Sequence, residues 1–130
     1  MLPIVAAFLI AGLALAQSDS DYQGWMKMNG ANVGSLNKNI MAKNGEGAAA
    51  DAQKLQATFK QVEAYWQQKN VPDAVAFAQK GGAAAGAVAK AAAAGDMDAA
   101  AAEVKNMQGA CGGCHMAHRE RTPEGTFKMK

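Results

Sequence analysis

Three short interruptions cut an alanine-rich chain into four stretches of helical periodicity: "KNGEG" from Lys43, "NVPD" around Pro72, and "GD" at Gly95-Asp96. That pattern constrains the fold more than any other feature. Segment A, residues 19–43, repeats Tyr22, Trp25, Met26, Val33, Leu36 and Ile40 at three- and four-residue steps, which is one face of a helix. Segment B, residues 48–69, sets Leu55, Phe59, Val62 and Trp66 on a single stripe. Segment C, residues 72–94, opens with Pro72 at the first helical position, where a missing N–H is tolerated. It carries Val75, Phe77, Ala78 and a run of alanines. Gly81-Gly82 and Gly86 each weaken it by roughly 1 kcal/mol relative to alanine, and mark a kink or a close helix contact. Segment D, residues 96–121, follows a C-terminal glycine and a capping aspartate and runs until Pro123 and Gly125 stop it. Short links imply antiparallel neighbours, so the expected fold is all-α, an up-down-up-down four-helix bundle. No strand signal and no internal repeat is apparent.

Composition sets the scale. With 130 residues the chain is one domain, and with 6% aromatic residues its core is thin. Abundant alanine favours helix through intrinsic propensity. The net charge of +2 is dispersed, and no Lys/Arg block is interleaved with aromatics, so nucleic-acid binding has no footprint. Residues 2–15 are uncharged but too few to span a bilayer, which needs about 20 apolar residues. They end at Ala14-Leu15-Ala16 before "QSDSD", the small-residue pattern of a secretory cleavage site. Residues 1–16 therefore read as a cleaved signal peptide and 17–130 as the exported, periplasmic domain beginning at Gln17. The basic flank of such a signal is missing, which leaves a misplaced start codon or an uncleaved hydrophobic anchor as the other readings. No lipobox cysteine follows the apolar run.

The chain has two cysteines and spends both in "QGACGGCHMAHRE". The spacing C-x-x-C-H has three chemical readings: a c-type haem attachment site, a redox-active dithiol, or half of a zinc site. Cys111, Cys114 and His115 fall at i, i+3 and i+4 of segment D and so project from one face. Two thiols there can form thioethers with the vinyl groups of haem while the adjacent imidazole coordinates iron as the proximal ligand. Zinc wants four ligands, and only His118 remains to be offered. A thioredoxin-like dithiol belongs near a βαβ pattern, and none is present. A structural disulfide across C-x-x-C is the bland alternative. An export signal together with a helical bundle favours one covalently bound haem c.

A helical bundle with C-x-x-C-H on its last helix resembles the class II cytochromes c, the cytochrome c-prime family. The likeness covers essentially all of residues 17–130, with "AAAAGDMDAAAAEVKNMQGACGGCHMAHRER" similar to the family's third-to-fourth helix junction and haem helix. The family holds two functional kinds. One has five-coordinate, high-spin haem and binds small gases; the other has six-coordinate, low-spin haem with a methionine from the first helix, and carries electrons. "MKMNGANVGSL" resembles the second kind, whose Met-Lys-x-Asn-Gly stretch supplies the ligand, and by that match the distal ligand is Met26. Two positions depart from the family. Tyr22 stands where many members carry an arginine that meets a haem propionate, and His118 stands where an aromatic is frequent. Arg119 keeps the basic character expected beside the proximal imidazole, and His118 reads as a partly exposed surface residue.

Helical geometry agrees with Met26. At 100° per residue it lies about 40° from the centre of the apolar face marked by Tyr22, Val33 and Ile40, whereas Met28 lies roughly 120° away and should face solvent. Met107 and Met116 share the helix of His115. Met41 is about 22 Å along segment A from Met26 at 1.5 Å per residue. Met97 is distant along segment D, and Met129 belongs to a short tail after Pro123 with no assigned role. The alternative for Met26 is a core methionine crowding an open haem. The resemblance thus implies a periplasmic single-electron carrier with His/Met-ligated haem, no catalytic acid or base, and transient redox partners. The rival is a five-coordinate binder of nitric oxide or carbon monoxide. A peroxidase-like enzyme would need a distal acid–base group, and segment A places no histidine or carboxylate beside Met26. Family members often dimerise through their first two helices, which leaves a homodimer open.

Overall fold

The computed structural model describes residues 17–130; the expected signal peptide lies outside the described residues. Four helices account for most of the described chain: α1 (Asp19–Met41), α2 (Gly45–Gln68), α3 (Pro72–Ala93) and α4 (Met97–His118). They match the four segments read from periodicity, in an arrangement compatible with a four-helix bundle. Among the described residues, no helix is long and apolar enough to cross a membrane.

The three links, 42–44, 69–71 and 94–96, share one hydrogen-bonding pattern. Lys43 N–H donates to Ile40 O at 3.0 Å and Asn44 N–H to Asn39 O at 2.8 Å. Asn70 and Val71 repeat this onto Gln67 and Trp66, and Gly95 and Asp96 onto Ala92 and Ala91. Each pair satisfies carbonyls left over by the ending helix and forces one residue left-handed. Those residues are Lys43 and Asn70, both at φ 56°, and Gly95 at φ 78°. The next residue then starts the following helix. Asn44 and Asp96 accept from Gly47 N–H and Ala99 N–H, while Val71 has no capping side chain and relies on Pro72. At the start of α1, Ser18 and Asp21 form a reciprocal capping box.

Two buried clusters result. One is alanine-rich, with Leu36, Leu55, Val88 and Met107 among Ala48, Ala52, Ala85, Ala92 and Ala100. The other is aromatic, built from Tyr22, Val62, Tyr65 and Trp66 over Ala74 and Ala78. Tyr22 and Tyr65 lie 4.6 Å apart between ring centroids, and Trp66 Nε1–H donates to Tyr22 Oη at 3.2 Å. Burial pushes the Tyr22 phenol up to about 12, so it stays neutral. Tyr65 Oη–H donates to Asp19 Oδ1 at 2.5 Å, tying the aromatic cluster to the first turn of α1.

The glycines of α3 mark close contact without a break: the helix is continuous through Gly81, Gly82 and Gly86. A Cβ on Gly81 would stand 2.5 Å from Phe59 Cε1, so α2 and α3 approach through its missing side chain. Gly81→Ala is therefore expected to destabilise by about 1–3 kcal/mol through overpacking. Gly24→Ala, on an exposed turn of α1 with nothing within 4 Å, should stabilise by roughly 1 kcal/mol through propensity. Thermal melting of the two variants should thus shift in opposite directions.

The C-terminal tail corrects the expectation of no strand. α4 ends at His118 rather than at residue 121, and Arg119 turns extended at φ −125°, ψ 133°. β1 (Arg119–Arg121) pairs antiparallel with β2 (Phe127–Met129), setting Arg119 opposite Met129 and Arg121 opposite Phe127. Thr122 N–H donates to Thr126 O at 2.8 Å, the two threonine hydroxyls meet at 2.7 Å, and Gly125 takes φ 83°. The hairpin folds back so that Met129 packs on the aromatic cluster.

Candidate functional site

α2 packs broadly on α1 and α3, and α3 on α4, but α1 and α4 barely touch. A cavity of about 410 Å³ lies in that seam. From α1 it is lined by Tyr22, Met26, Asn29, Gly30 and Val33; from α4 by Gln108, Ala110, Cys111, Cys114 and His115. Phe59 and Val62 of α2, Phe77 and Ala78 of α3, and Arg119 complete the lining. All four residues singled out in the sequence, Met26, Cys111, Cys114 and His115, border this one space.

Local sequence explains the placement. Cys111, Cys114 and His115 follow the helical repeat of α4, and Gly113 between them lets that helix approach α3. A Cβ at Gly113 would meet Phe77 Cε1 at 2.6 Å. Gly112 faces open space, so only one of the two intervening glycines is required sterically. On α1, Tyr22, Met26, Asn29, Val33 and Leu36 form the inward stripe, and Met28 is exposed as the helical wheel expected. Met41 and Met116 are likewise exposed, and Met107 is buried in the alanine-rich cluster.

The electrostatics disfavour thiolate chemistry. Both cysteines are free; burial pushes the Cys111 thiol up, and Cys114 rises to about 11, chiefly from burial and then from Cys111 and Asp73. Redox exchange needs the thiolate, which this burial disfavours. Among the described residues, no group of three or more His, Cys, Asp or Glu is placed to hold a bare metal ion. His115 is lowered, first by burial and second by the charge of Arg119, so its ring is neutral at pH 7 with a lone pair to offer. Arg119 is held over the Phe127 ring, 4.0 Å from the centroid.

A haem fits what these residues present. The volume lies in the range of small-molecule and cofactor sites, roughly 300–1,000 Å³. The walls are mostly apolar, and the donor set is one thioether, one neutral imidazole and two protonated thiols. Among the residues that line the cavity, one buried polar side-chain atom has no partner: Asn29 Oδ1, on a residue only 9% exposed. Leaving such an oxygen unpaired costs about 1–3 kcal/mol.

Three features escaped the sequence reading. Asn29 is polar, yet it continues the stripe Tyr22, Met26, Asn29, Val33, Leu36 at steps of four, three, four and three, a spacing that could have found it. Met129 is carried by the hairpin to a second cavity of about 540 Å³ that shares Tyr22, Met26, His115 and Arg119 with the first. His118 is more covered than expected. Its side chain is 12% exposed, Nε2 lies 2.7 Å from Asp73 Oδ2, and its ring is 5.1 Å from that of Trp66. It does not line the first cavity. No protein-family model matches the chain, and no curated protein or solved structure matches it either.

Proposed function

We propose that the protein is an exported, periplasmic monohaem cytochrome of the class II kind, carrying single electrons through a haem c in the α1–α4 seam. The observation that carries this reading is that Met26 on α1 borders the same cavity as Cys111, Cys114 and His115 on α4. When bound, the haem supplies one-electron iron chemistry, which the protein only positions and tunes. Cys111 and Cys114 would tether it through thioethers. His115, neutral because it is buried, would give the proximal ligand, and Met26 of α1 the distal one. Val33, Phe59, Val62 and Phe77 exclude water from the iron's surroundings. A thioether ligand raises the potential. Links of three residues favour the up-down-up-down order in which α1 and α4 would face each other across the cofactor. Donor and acceptor would be redox proteins that dock through small, transient interfaces.

Absorption spectra of the purified protein, oxidised and reduced, with and without carbon monoxide, test the reading. The expected result is a six-coordinate, low-spin haem whose reduced form resists carbon monoxide at neutral pH. A high-spin spectrum with prompt carbon monoxide binding would overturn the electron-carrier reading in favour of a gas-binding protein, with Met26 merely packed over an open iron.

A further inference from the structure

We infer that Asn29 is the positioning residue for the distal ligand, its carboxamide donating a hydrogen bond to the Met26 thioether sulfur. The inference rests on the reading of Met26 as that ligand. Asn29 lies at i+3 from Met26, so the two side chains are neighbours on one helical face. Both line the cavity in the α1–α4 seam. Asn29 is 9% exposed, and its Oδ1 is sealed from solvent with no hydrogen-bond partner in the protein. A carboxamide bears an acceptor at one end and two donors at the other, and rotation about its last bond exchanges them. The amide group can therefore present either end to the cavity.

The remaining polar groups nearby are otherwise committed or of the wrong kind. The Tyr22 oxygen accepts from Trp66 Nε1–H while its own O–H is directed at Cys114 Sγ, and the Arg119 guanidinium is held on Phe127. Gln108 is exposed on α4. Asn29 is thus the buried, unengaged amide on the helix that carries the ligand. A thioether sulfur is a weak acceptor, and in an apolar enclosure a single N–H directed at it acts with little competition. Donation withdraws electron density from sulfur, which disfavours ferric iron relative to ferrous iron and so raises the potential. It also holds the side chain in its ligating rotamer.

Asn29→Leu, Asn29→Ala and Asn29→Gln in the matured, haem-loaded full chain test this. Leucine removes the donor at similar volume, alanine removes it without bulk, and glutamine keeps it. Asn29→Leu should remain low-spin, with its one-electron equilibrium shifted two- to tenfold toward the ferric state. Tenfold corresponds to a potential lower by about 59 mV. Carbon monoxide affinity of the reduced form should rise by a similar factor, because Met26 is displaced more easily. Asn29→Gln should return both quantities toward wild type, and Asn29→Ala should repeat the leucine result if that variant matures poorly. An unchanged potential and carbon monoxide affinity in the leucine and alanine variants, against a low-spin Met26-ligated wild type, overturns the inference alone. A wild type lacking covalent low-spin haem overturns the inference together with the proposed function.

Discussion

Replacing both Cys111 and Cys114 with alanine should leave almost no covalent haem and a bundle that no longer melts cooperatively. The wild-type protein, matured in a c-type cytochrome assembly system, should keep its haem through denaturing gels and acid–acetone extraction, because thioethers survive unfolding. The double variant should release all of it. The structural penalty follows from the size of the seam. Without haem the bundle loses the large apolar surface that the walls of this seam wrap, and with it the stabilisation a tightly bound group confers on the folded state. Net stabilities of such domains are only about 5–15 kcal/mol, so a loss of this kind weighs heavily. The alanine-rich cluster has little to offset it, since Ala48, Ala52, Ala85, Ala92 and Ala100 bury small surfaces. The expected thermal transition of the double variant is broad and low. The single variants should each retain one thioether and an intermediate transition. Complete release of haem by acid–acetone from correctly matured wild type would sink covalent attachment, and with it the c-type assignment.

The sequence disclosed helices better than contacts. Periodicity located all four, because an amphipathic stripe such as Leu55, Phe59, Val62 and Trp66 leaves a direct mark on the chain. Helix ends moved by a few residues. α2 starts at Gly45 inside a stretch that looked like a breaker, since the Asn44 side chain caps it. Lys43 and Asn70 take left-handed conformations that only Gly95 advertised by its identity.

The hairpin could not be seen for a physical reason. "RER" and "FKM" have no apolar alternation long enough to register, and their pairing depends on Thr122, Thr126 and Gly125 closing the turn. The cysteine and histidine positions needed only the helical repeat. Asn29 is hidden in the sequence because a polar residue on an apolar stripe reads as an interruption, although its spacing is that of its neighbours. Likewise, nothing in "CGGCH" distinguishes Gly113 from Gly112. It is Phe77, some thirty-six residues earlier in the chain, that makes one of them obligatory.

Met26→Ala should convert the iron to a five-coordinate or water-ligated state, admit carbon monoxide promptly, and lower the potential. The sign follows from the thioether, a soft ligand that favours ferrous iron; without it the ferric state gains. Met28→Ala is the matched control. Its side chain is 51% exposed and should leave spectrum and potential nearly unchanged. The hairpin adds a second arm that helical reasoning alone did not call for. Met129 lines a cavity together with Met26 and His115, so it is a second thioether bordering the same space. Its packing against the aromatic cluster that contains Tyr22 gives it a role without ligation, and Met129→Ala alone should therefore remain low-spin. If Met26→Ala kept its low-spin spectrum, the choice of ligand would be wrong, and the double variant Met26→Ala with Met129→Ala would decide the cause. Loss of the low-spin signal only in that double variant would assign the distal position to the hairpin. Loss already in Met26→Ala assigns it to α1, whose Met26 lines the same cavity as the cysteine–histidine face of α4.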